Sequence, residues 1–92
     1  MNQFYTYIAY FKDNKLYNIS VTTHLKRRLK LLNQLKEKHS QNFGIKLVYF
    51  EEYSDSATAT KRETFLQNPN TELIEKLVSE NNPMLINLIN EI

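Results

Sequence analysis

From Phe4 to Lys12 nearly every residue is aromatic, aliphatic or β-branched. In an extended chain Phe4, Thr6, Ile8 and Tyr10 share one face and Tyr5, Tyr7, Ala9 and Phe11 the other, so both faces of this strand call for cover. Asp13-Asn14 tolerates the positive φ of a tight turn, and a strand pattern resumes over Lys15 to Val21, which makes the pair a β-hairpin. The period then changes. From about Thr23 or His24 to His39 the leucines recur at 25, 29 and 32, with Leu31 and Leu35 widening the stripe, as in an amphipathic helix. Thr22 or Thr23 is placed to cap it. Ser40 to Gly44 ends that helix, with Gly44 the natural positive-φ position before a third strand, Ile45 to Tyr53. Ser54 or Asp55 caps a second helix to about Leu66 or Gln67, and Asn68-Pro69-Asn70 breaks it. Thr71 to Glu80 is a third helix with Leu73, Ile74, Leu77 and Val78 inward. Asn82-Pro83 then starts a last short helix, with Asn as cap and Pro at the first position, packed through Leu85, Leu88, Ile89 and Ile92. The order ββαβααα predicts an α+β fold, a small three-stranded, mostly antiparallel sheet flanked by helices, as one domain over residues 1–92.

Composition narrows the function classes. A chain of 92 residues with 41% apolar positions supports one core. The absence of cysteine excludes disulfides and thiolate metal cages. No apolar run is long enough for a membrane span, and the start MNQFYTYIAY lacks a basic region and a cleavage site, so a soluble, cytoplasmic protein with no membrane partner is expected. The formal charge of +2 hides a division: residues 1–46 hold nine Lys/Arg against Asp13 and Glu37, a formal +7, and residues 47–92 hold three against eight acids, −5. Such asymmetry fits a polyanionic partner on one side of the molecule; the plain alternative is a solvated helix face. The oligomeric state is not set by any of these features.

Two charges fall in apolar stripes. At about 100° per residue, Arg28 lies between Leu32 and Leu35 and beside Leu25, while Lys26, Arg27, Lys30 and Lys38 point away. On the next helix Glu63 falls at i+4 from Ala59 and i−3 from Leu66, inside the small apolar face, with Lys61 and Arg62 outside it. A lone inward guanidinium calls for an anionic or carbonyl partner. Either Arg28 and Glu63 form a structural ion pair, or both line one pocket in which a carboxylate binds a divalent cation and a guanidinium holds phosphate.

The segments YTYIAYFKDNKLYNISVTTHLKRRL, KLVYFEEYSDSATATKRETFL and ELIEKLVSENNP together resemble the GIY-YIG nuclease superfamily, and within it the small stand-alone bacterial domains. The resemblance covers nearly the whole chain. It implies that Tyr7 corresponds to the GIY tyrosine, Arg28 to the catalytic arginine, and Glu63 to the metal-binding glutamate that holds Mg²⁺. Asn82, before Pro83, resembles a late asparagine of the small subfamily. Without a gap, YIG becomes Asn18-Ile19-Ser20, so Asn18 stands where a tyrosine is expected. A one-residue insertion would substitute Tyr17, but on the opposite strand face. The family's His or Tyr after the arginine falls on Leu32, which has no proton to exchange. His39 is too far along the helix to replace it, and His24 reads as a surface residue.

The chemistry implied is phosphodiester hydrolysis, with a tyrosine assisting deprotonation of water, a metal on the glutamate and an arginine on the phosphate. Loss of a general base typically costs ~10²–10⁴ in rate. The favoured reading is therefore a nuclease-like domain that binds nucleic acid, DNA above RNA, through Lys26, Arg27, Lys30 and Lys38, with cleavage impaired or lost. The alternatives are an active divalent-metal-dependent endonuclease with a rearranged site, and a non-catalytic protein-interaction module.

Overall fold

The double-faced pattern of the first strand is what organises the molecule. In the computed structural model, which describes residues 3–12, 15–37, 45–67 and 71–91, β1 (Phe4–Phe11) is the central strand of a three-stranded antiparallel sheet. It pairs with β2 (Leu16–Thr22) on one side and β3 (Ile45–Tyr53) on the other, in the order β2-β1-β3. Tyr7 stands opposite Ser20 on β2 and Phe50 on β3. Ile8 faces Tyr49 and Ala9 faces Leu47, so Val48 is the extra residue of a bulge.

Alternation along β1 sends one core to each face. Tyr7 and Ala9 pack with Leu25 and Leu29 of α1 (Leu25–Glu37) and with Ile45 and Leu47 of β3. Ile8 and Val48 pack with Leu66 of α2 (Ser56–Gln67) and with Ile74 and Val78 of α3 (Thr71–Asn81). Thr6, the one polar residue at the buried centre of β1, donates its hydroxyl to the Ala59 carbonyl at 2.8 Å, which pins α2 to the second face. Burying each such Leu or Ile is worth ~1.5–3 kcal/mol, so both faces contribute to folding.

Local signals set the helix starts. The His24 N–H bonds the Thr22 hydroxyl at 3.2 Å, and the His24 carbonyl accepts the first helical bond, from Arg28. Asp55 caps α2 through the Thr58 N–H at 2.8 Å, as expected. Leu31, expected to widen the apolar stripe, is 49% exposed, because Leu25, Leu29 and Leu32 already fill the width that the sheet covers. Asp13-Asn14, Gly44 and the Asn68-Pro69-Asn70 break lie outside the described residues, as do Ile92 and the side chain of Leu35.

The expected last helix is a one-turn 3-10 helix, Leu88–Glu91. Asn82 turns the chain back: its carbonyl accepts from Leu85, and its side-chain amide both accepts from Ile86 N–H and donates to Ile86 O. Leu85 then takes a left-handed φ of 52°, which a continuing α-helix cannot accommodate. The outer edge of β3 is covered by asparagines. Asn33 bonds both backbone groups of Ile45, Asn87 accepts from Leu47, and Asn82 donates to Val48 O. Among the described residues no helix is long and apolar enough to cross a membrane.

Candidate functional site

Tyr7 is 1% exposed, with its ring packed among Leu25, Leu29 and Leu47. Its hydroxyl is reached from α1, where Arg28 Nη1 donates to it at 3.4 Å, a long bond. The helix rotation set by Leu25 and Leu29 leaves Arg28 half-buried at the stripe's edge, while Lys26, Arg27 and Lys30 are exposed. Because Tyr7 accepts in this bond, it keeps its own O–H to donate. Among the described residues Arg28 has no carboxylate partner. Lys38 lies outside the described residues.

Glu63 is not bonded to Arg28. The two form no ion pair, and their helices pack on opposite faces of the sheet, which corrects the expectation of a direct structural pair. Helical periodicity fixes which side of a helix meets the sheet and leaves open which face of the sheet it meets. Glu63 is half-buried and, among the described residues, has no hydrogen-bond partner. It lies one turn before Gln67, whose amide donates to Ile19 O on β2 at 2.9 Å, so this side of α2 flanks the outer edge of β2. No group of three or more metal-ligating side chains occurs among the described residues.

The pleat separates the remaining candidates. Asn18 pairs with Ala9 and Ser20 with Tyr7, so both stand on Tyr7's face. Tyr17 stands on the other face against Tyr10, ring centroids 5.3 Å apart, and burial together with the Tyr10 and Glu75 charges pushes its hydroxyl pKa up. It therefore does not replace the missing tyrosine. Leu32 packs against the cluster that holds Tyr7. His24 is exposed, and His39 lies outside the described residues. Asn82 is buried, with its side chain engaged by Val48 and Ile86 backbone groups, a structural use.

A second polar cluster lies on the α2 face of the sheet. Glu51 receives two bonds from Arg62, at 2.9 and 3.0 Å, and the hydroxyls of Tyr49 and Tyr53. Arg62, expected outside the inward stripe, thus reaches the sheet and stacks over Phe65 at 5.5 Å. The i, i+2, i+4 spacing of Tyr49, Glu51 and Tyr53 was the available signal, since it puts all three on one strand face. Burial pushes the Glu51 carboxyl up, but the bonds from Arg62, Tyr49 and Tyr53 outweigh it and hold it below the usual range. Tyr49, buried and bound to that carboxylate, is pushed up to about 12.

Comparison with known proteins agrees with this architecture. The family model described as the GIY-YIG catalytic domain matches residues 3–76, a span that includes all three strands, α1 and α2. Searches of curated proteins and of solved structures give no significant match. With four fifths of its length matched and the ββαβ core in place, the chain belongs to the GIY-YIG family.

Proposed function

We propose that this domain binds nucleic acid, DNA in the first place, through the cationic face of α1, and that its phosphodiester cleavage is impaired or lost. The observation that carries the reading is the Arg28–Tyr7 contact. A half-buried guanidinium with no carboxylate partner among the described residues is held against a tyrosine hydroxyl, flanked by exposed Lys26, Arg27 and Lys30. Such a cation is open to a phosphate oxygen, and Arg suits that geometry better than Lys. Lys38 would extend the same basic set. Cysteine-free composition suits a reducing, cytoplasmic setting.

In this reading Arg28 holds phosphate and Tyr7 handles a proton. Asn18 and Leu32 supply no second proton-exchanging group, which is the reason for impaired cleavage. The residues present fit Mg²⁺ through Glu63, which offers a half-buried, uncommitted carboxylate, since Mg²⁺ binds through one or two carboxylates and completes its shell with water and substrate phosphate. When bound, the ion would supply Lewis-acid polarisation of the phosphate.

The test is incubation of supercoiled plasmid with the protein in Mg²⁺ or Mn²⁺, beside Glu63→Ala. Retarded plasmid with little or no nicking is the expected result. Strong nicking that disappears with Glu63→Ala would contradict impaired cleavage and identify an active metal-dependent nuclease. Plasmid that is neither retarded nor cut at low salt would contradict nucleic-acid binding and favour a protein-interaction module.

A further inference from the structure

On the face that carries Tyr7, α1 packs on β1 and β3, and among the described residues no side chain of β2 joins that packing. The cluster beneath α1 draws its side chains from β1, β3, α1 and the C-terminal turn, and none from β2. The side chains that β2 presents on this face include Asn18, Ser20 and Thr22. Thr22 is occupied by the His24 N–H. Asn18 is exposed and Ser20 half-buried, and among the described residues neither side chain makes a hydrogen bond. Uncommitted donors therefore stand in a row on the face of Tyr7, which Arg28 reaches and which lies directly opposite Ser20.

We infer that Asn18 and Ser20 form a shelf for one strand's phosphodiester backbone, with the amide of Asn18 and the hydroxyl of Ser20 donating to phosphate oxygens. The inference rests on the nucleic-acid reading above and names the surface the strand follows. Charge complementarity selects the occupant. The shelf is bordered by α1, whose first turn has no acidic residue and whose Lys26, Arg27 and Lys30 are exposed. Neutral Asn and Ser donors beside Arg and Lys are a common composition for phosphate contacts. Side chains at i and i+2 of a strand stand about 6.8 Å apart, comparable to the spacing of successive phosphates along one strand. The residues that occupy the YIG tyrosine and glycine positions thus acquire a binding use in place of a proton-transfer one.

The test is fluorescence anisotropy of a labelled, mixed-sequence DNA duplex over a series of salt concentrations, with the wild-type chain and Asn18→Ala/Ser20→Ala. Neutral donors release no counterions, so the double variant is expected to bind about tenfold more weakly, with the salt slope unchanged. Equal binding by wild type and variant would overturn the shelf and leave the α1 reading intact. A weaker variant with a shallower salt slope would also overturn it, since the loss would then lie in the α1 cations. No binding by the wild type would instead remove the nucleic-acid reading itself. If the variant fails to fold, the side-chain amide resonances of Asn18 in the wild type decide. Saturable shifts on titration with the same duplex support the shelf, and unmoved resonances overturn it.

Discussion

At the scale of single residues, Glu51 and Asn82 show how few polar groups hold the helices to the sheet. Glu51 collects bonds from Arg62, Tyr49 and Tyr53, so Glu51→Gln should cost roughly 1–3 kcal/mol at neutral pH, read from urea unfolding. The sign of its pH dependence follows from the lowered carboxyl pKa. In the window between the folded and unfolded values the unfolded chain binds more protons, so the contribution is present above the ordinary carboxylate range and lost as pH falls through the folded value. The difference in melting temperature between wild type and Glu51→Gln should therefore be full above roughly pH 6 and shrink in acid. Tyr49 acts in the opposite direction: its neutral form is favoured, so its contribution is present below the ordinary tyrosine value and lost as pH rises through about 12. Asn82→Ala leaves the Ile86 N–H and two carbonyls without their partner and should cost about 1–3 kcal/mol, seen in the same unfolding experiment.

At the scale of elements, α1 is the piece on which fold and site depend together. Leu29 is 2% exposed and packs on the same cluster as Tyr7, so Leu29→Ala should destabilise by roughly 2–5 kcal/mol in chemical denaturation. Strands and helices were legible because their periods are local: alternation over Phe4–Phe11 and leucines at 25, 29 and 32 each define an element without knowledge of the rest. The inward turn of Arg28 was legible for the same reason, and so was Tyr17's separation from Tyr7, since a strand's pleat is fixed by parity. What was not legible depends on docking. A stripe on α2 cannot say which face of the sheet it meets, so periodicity alone allows a direct Arg28–Glu63 pair that the packing of α2 on the second face does not form. Arg62 escapes the stripe pattern because a long side chain at the margin of a stripe can still reach a strand carboxylate. The final helix gave way to a turn because Asn82 bonds the backbone of Ile86 as well as Val48, a long-range demand that cap statistics do not contain.

At the scale of the whole molecule, charge and architecture divide the chain near the start of β3. The hairpin, α1 and the first two residues of β3, Lys46 among them, belong to the half with a formal +7, and the rest of β3, α2 and α3 to the half with −5. Two of the eight acids in that second half are committed elsewhere, Glu51 to Arg62 on the opposite face from Tyr7 and Asp55 to the start of α2, while exposed Glu52 shares Tyr7's face. The face that carries Arg28 presents Lys26, Arg27 and Lys30 to solvent with no acidic residue in the helix's first turn. Binding through such a face should depend on phosphate neutralisation, with affinity falling by about 0.9 log units per log unit of salt for each phosphate contacted. The most direct measurement is the affinity of the chain for a DNA duplex across a salt series, beside Lys26→Glu/Arg27→Glu/Lys30→Glu. A steep wild-type slope that flattens in the triple variant, with affinity reduced by an order of magnitude or more at low salt, is the predicted result. Wild-type affinity indifferent to salt, or a folded triple variant that binds equally well, would contradict it.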